Sequence, residues 1–386
     1  MAGSSVEQMP PAGLYVHIPF CRRKCPYCDF YSVPFRAEEA EHFLAALQHE
    51  MRLWARGPLF AGNPFATLYF GGGTPSLLRP AQLSTLISTV DSLFGLHSGA
   101  EVTIEANPAT LSASQLGELR AAGFNRLSLG VQSLRDDELR TLGRLHTAGE
   151  AVRTFRWARQ AGFDNLSVDL IFGIPGQTTA SWEATLRQVL TWAPEHISTY
   201  ALTLEPSTPM AQAVTRGALR PVRAEEEKTM YLLAHDLLTA NGYEHYEISN
   251  YAKRGYRCRH NMQYWQRHPY LGLGPAAHSF HGKERWWNVA DVKAYCQALA
   301  QNSLPVQEKE VLSEEQERLE TFMLALRTAE GLALGALPRE WARMTTERAA
   351  RLCLDGQYPL ALVDAERIRL THRGFLFHEE VCRLMA

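Results

Sequence analysis

The feature that most constrains this chain is a rhythm. Six short runs rich in apolar and β-branched residues, at 14–20, 66–70, 101–105, 126–130, 165–171 and 196–204, read as strands. Between them the spacing predicts helices over 37–55, 80–94, 112–122, 136–142, 148–161 and 180–192, as with Phe43, Leu44, Leu47, Met51 and Trp54. Strands alternating with such helices predict βα units and a parallel sheet. Six strands cannot close the usual eight-stranded barrel, so an α/β fold built as an open, partial (β/α)6 barrel is expected. In such sheets the chemistry gathers at the C-terminal strand ends. Cys21, the run from Gly71 to Thr74, Glu105, Gln132 and Asp169 all fall there.

The rhythm stops near residue 221. A helix is read at 224–241, and 242–281 is rich in aromatics, His and Gly. Further on come a helix at 313–327, one or two more over 334–355, a hairpin from 360–364 and 367–370, and a final helix at 374–385. That order resembles a small α+β winged-helix module. The expected division is a barrel over 1–220, an extension over 221–305 and the C-terminal module over 306–386. A six-stranded barrel also leaves an edge that something should cover.

The chain has 386 residues, 46% of them apolar, and a net charge of −2. That balance, mixed in the C-terminal module too, predicts no nucleic-acid partner. Residues 1–13 lack the basic and apolar regions of a signal peptide, and no run of about 18 apolar residues suggests a membrane span. Of seven cysteines, Cys258, Cys296, Cys353 and Cys382 are scattered without framework spacing. A reduced, cytoplasmic protein is expected, with peripheral membrane contact left open.

The other three, Cys21, Cys25 and Cys28, are spaced C-x3-C-x2-C directly after the first strand. A loop there can turn three thiolates inward. A closed zinc site wants four ligands, and no fourth cysteine is near. An iron–sulfur cluster is the other main taker of clustered thiolates, and three ligands leave one iron open for a substrate or cofactor.

Downstream, Gly71, Gly72 and Gly73 lack Cβ atoms and let backbone approach a ligand closely. Glu105 ends a strand with a carboxylate able to accept from an ammonium or a ribose hydroxyl. Gln132 and Arg144 offer an amide and a guanidinium. Asp169 sits in an otherwise apolar strand, where a carboxylate is costly unless partnered.

The cysteine spacing resembles that of the radical S-adenosylmethionine (SAM) superfamily, which implies a [4Fe-4S] cluster on Cys21, Cys25 and Cys28 with SAM on the open iron. The segments Y-V-H-I-P-F at 15–20, G-G-G-T-P-S at 71–76, E-A-N-P at 105–108, G-V-Q-S at 130–133, L-G-R-L-H at 142–146 and D-L-I-F-G-I-P-G at 169–176 narrow the likeness. Together they resemble the oxygen-independent coproporphyrinogen dehydrogenase group. In that group the positions matching Tyr15, Tyr27, Gly72, Thr74, Glu105, Gln132, Arg144 and Asp169 contact SAM.

Two features divide the group. The dehydrogenase carries a fourth cysteine, C-x3-C-x2-C-x-C, where this chain has Phe30. The segment H-N-M-Q-Y-W at 260–265 resembles the H-N-x-x-Y-W motif of a haem-chaperone branch, in which the matching histidine, here His260, is linked to haem. A neutral imidazole is a common ligand of haem iron, and Tyr264 and Trp265 could pack on a macrocycle. The resemblance implies a chaperone that binds haem and passes it to haem-accepting apoproteins, with a place for an electron donor. The rival is a dehydrogenase that oxidatively decarboxylates coproporphyrinogen III.

Overall fold

The computed structural model describes residues 10–354 and 357–385. The reading of 1–13 as free of a signal peptide, and the last residue of the expected 334–355 helices, thus fall largely outside the described residues.

The six βα strands form as read: β1 (Gly13–Ile18), β2 (Phe65–Gly72), β3 (Leu96–Ala106), β4 (Arg126–Gln132), β5 (Leu166–Phe172) and β6 (His196–Ala201). They pair in parallel and in chain order. The intervening helices are α1 (Ala37–Ala55), α2 (Pro80–Phe94), α3 (Ala113–Ala121), α4 (Asp136–Thr141), α5 (Ala148–Gln160) and α6 (Thr179–Trp192). Local chemistry starts several of them. Ser112, Thr147 and Thr178 each accept a backbone N–H of the first turn in a capping box.

Alternation along the strands makes two unlike faces. Leu14, Val16, Leu68, Phe70, Ile104, Leu127, Leu129, Val168 and Leu170 are fully or almost fully buried in the layer shared with the helices. The opposite positions, including Tyr69, Glu105, Arg126, Ser128, Asp169, His196 and Ser198, face one cavity inside the barrel. A parallel sheet covered by helices on both faces reads as an apolar run. Here every second residue is polar because the inner face lines a site.

The sheet does not end at six strands. Residues 244–311, where the sequence showed no regular pattern, add β7 (Glu244–Glu247), β8 (Asn250–Ala252), β9 (Tyr270–Leu273), β10 (His278–His281), β11 (Glu284–Asn288) and β12 (Val306–Val311). The order is β12-β11-β10-β9-β1-β2-β3-β4-β5-β6-β8-β7. β9 joins β1 in parallel, and β8 joins β6 antiparallel. Both edges of the six-stranded wall are therefore covered by the chain's own later strands. Four more helices lie between β6 and β12: α7 (Pro209–Thr215), α8 (Ala224–Ala240), α9 (Arg259–Trp265) and α10 (Val292–Ala300).

The C-terminal module is α+β and winged-helix-like. It holds α11 (Glu314–Leu326), β13 (Leu332–Ala333), α12 (Arg339–Ala349), β14 (Ala361–Val363), β15 (Arg367–Leu370), α13 (His372–Leu376) and α14 (His378–Met385). The expected hairpin is β14–β15, with β13 added on the far side of β15. Two expectations change here. The final helix is broken at Phe377, and 334–355 holds a 3-10 turn and a short strand, Cys353–Leu354, besides α12. Within α13, Gly374 lies against backbone: a Cβ there would be 2.0 Å from the Leu360 carbonyl oxygen.

Candidate functional site

Parallel pairing of the six strands gathers their C-terminal ends on one side of the sheet, and the cysteine loop lies across them. The cavity below it measures about 640 Å³, in the range of small-molecule sites. Ten of the twelve expected site residues line it: Cys21, Cys25, Tyr27, Cys28, Gly72, Thr74, Glu105, Gln132, Arg144 and Asp169. Tyr15 and His260 do not.

The loop is held on several sides. Arg23 Nη2 donates to the Gly143 carbonyl at 2.7 Å, and Met210 N to the Pro26 carbonyl at 2.9 Å. Ser207 Oγ donates to Asp29 Oδ1 at 3.2 Å. The three thiols are free and half-buried. Burial pushes the Cys28 thiol above its ordinary range, with Cys25 and Cys21 adding to it.

Two sulfurs have polar neighbours. Arg144 Nη1 lies 3.7 Å from Cys25 Sγ, and Thr74 Oγ1 lies 3.6 Å from Cys21 Sγ. The Thr74 oxygen accepts from Asn107 Nδ2 at 3.0 Å, which leaves its proton free for the sulfur. Arg144 Nη2 also donates to Asn107 Oδ1 and, at 2.9 Å, to the Gly130 carbonyl. Asn107 thus ties both sulfur partners together. It stood in the E-A-N-P segment without being singled out as a site residue.

The sequence reading had three thiolates turned toward one point. Among the described residues, however, no three His, Cys, Asp or Glu side chains are grouped to hold a single metal ion. A cluster bound through one cysteine per iron needs no common point. The donor set, three free thiols with hydrogen-bond donors on two sulfurs, fits such a cluster, whose properties respond to those contacts.

Below the loop sit two carboxylates. Glu105 accepts from the Tyr69 hydroxyl at 2.8 Å and from Gly72 N at 3.3 Å. Burial pushes its carboxyl up to about 7, and the neighbouring Asp169 adds to the shift. Asp169 accepts from Ser198 Oγ at 2.7 Å, Ser128 Oγ at 2.8 Å and Ser167 Oγ at 3.1 Å. Those serines are its partners in an otherwise apolar strand. They were not foreseen, although each stands on the inner face at period two. Gln132 has φ +66°, an uncommon conformation for a residue with a Cβ, and it ends its strand at the cavity.

Gly72 and Gly73 line the cavity, and the glycine run also has a packing reason. A Cβ on Gly71 would meet Tyr15, Tyr69 and Glu105; one on Gly72 would meet the His17 ring at 2.5 Å. On Gly73 it would meet the Phe20 carbonyl oxygen at 2.6 Å. A side chain on any of the three would also collide where β2 passes close under β1 and the cysteine loop.

His260 lies beneath this region, on α9, and is 1% exposed. Thr67 Oγ1 donates to Gln263 Oε1, so it accepts from His260 Nδ1 at 2.7 Å. The Tyr264 hydroxyl lies 2.8 Å from Nε2. Both ring nitrogens are used, and burial lowers the imidazole to about 3. His260 was expected to take part in haem binding; in this conformation neither nitrogen is open to an iron. Its ring stacks on Tyr69 at 4.9 Å, and Tyr69 holds Glu105. Tyr15 also stacks on Tyr69, at 6.2 Å. Both residues therefore reach the cavity through Tyr69. Of the motif, Asn261 lines the cavity, whereas Trp265 lies under the Arg327 guanidinium at 4.3 Å.

Comparison with known proteins agrees with this architecture. The Radical SAM superfamily model matches residues 15–189. Heme chaperone HemW of Bacillus subtilis is 36% identical over 379 residues, covering 95% of this chain and 97% of that protein. HemW of Escherichia coli is 39% identical over 278 residues, 70% of each chain. Among solved structures, the radical SAM enzyme coproporphyrinogen III oxidase (HemN) of E. coli superposes with a TM-score of 0.83 at 26% identity, covering 98% of this chain and 90% of that one. On these grounds the chain belongs to the radical SAM superfamily and, within it, to the HemW family.

Proposed function

We propose that this protein is a haem chaperone that carries a [4Fe-4S] cluster and SAM and delivers haem to acceptor apoproteins in the cytoplasm. The observation that carries the reading is the cysteine loop lying over Glu105, Asp169, Gln132 and Arg144, with Phe30 where the dehydrogenase pattern has its fourth cysteine. The names of the HemW relatives support the haem half of it.

Cys21, Cys25 and Cys28 would hold the cluster, which supplies an open iron and an electron. The chain's own part is positioning. Glu105, ionised, offers an acceptor to a cationic ligand, and its Tyr69 and Gly72 donors fix its direction. Asp169, oriented by three serines, presents a second acceptor to ribose hydroxyls or an ammonium. Arg144 and Thr74 keep hydrogen bonds on the sulfur edge. No helix of the described residues is long and apolar enough to cross a membrane.

A second reading, the oxidative decarboxylation of coproporphyrinogen III, is favoured by the likeness to HemN over 98% of the chain. One experiment separates them. Anaerobically reconstituted protein is given SAM and a reductant, then offered haem or coproporphyrinogen III. Haem binding and transfer to an apoprotein without porphyrin decarboxylation supports the chaperone; cysteine-dependent decarboxylation supports the enzyme.

A further inference from the structure

We propose that haem seats at the mouth of the barrel cavity, with its face on an apolar rim of Phe30, Leu145 and Tyr200 and its propionates on Arg22, Arg23 and Lys24. This rests on the haem-chaperone reading and gives it a location that the H-N-x-x-Y-W histidine does not.

Phe30 is 70% exposed, Leu145 52% and Tyr200 40%. They come from three separate segments: the cysteine loop, the turn after α4, and the end of β6. Yet all three line the one cavity. A large apolar side chain left in water at a single place is ordinary, but three on the rim of one cavity mark a binding surface. The segments are fastened to one another. Arg23 reaches the Gly143 carbonyl, a Cβ on Gly143 would press into Pro26 at 2.6 Å, and Ser207 holds Asp29 beside Phe30.

The charge on this rim selects the occupant. Arg22, Arg23 and Lys24 are consecutive, and all line the cavity. Arg22 and Arg23 donate to the carbonyls of Ala109 and Gly143 through one nitrogen each, which leaves further guanidinium donors for a carboxylate. A ligand with a flat apolar body and carboxylates at its edge satisfies both parts, and haem has that form. A protein partner would use the apolar rim but gives no reason for three consecutive cations lining the cavity.

The test uses the full-length, cluster-loaded protein and haemin, followed by the Soret band. Phe30→Ser/Leu145→Ser should weaken haemin binding at least tenfold with iron content per chain unchanged. Arg22→Gln/Arg23→Gln/Lys24→Gln should weaken haemin similarly while binding haemin dimethyl ester as well as wild type does. Leu145→Ser/Tyr200→Ser lies outside the cysteine loop and keeps the test readable where Phe30 variants lose iron. Wild-type affinity in all the rim variants overturns the seat, as does normal affinity with lost transfer to apomyoglobin, which makes the rim a protein-docking face. A wild type that binds no haemin overturns the chaperone reading itself.

Discussion

Two buried glutamates, one on each side of the barrel wall, have carboxyls pushed up to about 7 by the same cause, burial. Their surroundings differ. Glu50, on α1, accepts from the Tyr295 hydroxyl at 2.6 Å, Asn288 Nδ2 at 2.7 Å and Gly274 N at 2.8 Å. Those donors come from α10, β11 and the turn after β9, so Glu50 pins the added strands to the barrel. Glu105 has two donors and opens on the cavity. A raised carboxyl is therefore not a mark of function by itself; the number of protein donors and the access separate a staple from a site.

The sharpest test of that contrast, and the largest effect, is a pair of alanines. Glu50→Ala strands three buried donors and should cost about 3 kcal/mol or more of stability, read by denaturant unfolding of the purified chain. Glu105→Ala opens onto a cavity that admits water. It should cost no more than about 1 kcal/mol while lowering SAM affinity more than tenfold. Equal destabilisation by the two would erase the distinction.

The second effect is in pH. Both carboxyls hold a proton more tightly folded than unfolded, so each lowers stability as pH rises from about 4.5 towards about 7. Only Glu105 should pass its titration to a ligand. A cation binds the ionised form, so SAM affinity should climb about tenfold between pH 6 and pH 8, as expected for one group titrating near 7. Glu105→Gln should flatten that profile and Glu50→Gln should leave it standing. A wild-type affinity that is level over this interval would remove Glu105 from cation binding.

The contrast also separates what was legible in the sequence from what was not. Glu105 announced itself because a strand end is a special place, and the βα rhythm gave away the strand ends. Glu50 looked like any carboxylate on an amphipathic helix. Its partners lie more than two hundred residues on, in a helix, a strand and a turn of a region whose strands run three to six residues and whose aromatics carry no clear period. The same limit hid the sheet extension and the covered edges. The cysteine spacing and the glycine run pointed to a place, and Cys21, Cys25, Cys28, Gly72 and Gly73 line one cavity; what the glycines yield to, β1 and the cysteine loop, depends on a close approach no single segment records. In the H-N-x-x-Y-W segment, spacing named His260 but not its direction, and direction turned it inward to Thr67 and Tyr264.

His260 gives the third prediction. His260→Phe keeps the stack on Tyr69 but leaves the Tyr264 hydroxyl unpartnered, at a cost of about 1–3 kcal/mol. Iron content should be unchanged and haemin affinity should stay within about threefold of wild type. Loss of the Soret band in a folded, iron-loaded variant would return His260 to the haem.

The smallest effect should come from Ser198→Ala. Asp169 keeps Ser128 and Ser167 when Ser198 is removed, so the carboxylate stays partnered but loses its shortest hydrogen bond. One hydrogen bond to a charged group is worth about 1.5–3 kcal/mol, and water entering from the cavity should return most of it. Stability should therefore change by less than about 1 kcal/mol. The carboxylate, now free to turn, should lose SAM affinity by only a few-fold, a drop visible in a titration and absent from Glu50→Gln. An unchanged affinity would mean that Ser128 and Ser167 alone orient Asp169. A loss as deep as that of Glu105→Ala would mean that Ser198, which already lines the cavity, touches the ligand itself and does more than orient Asp169.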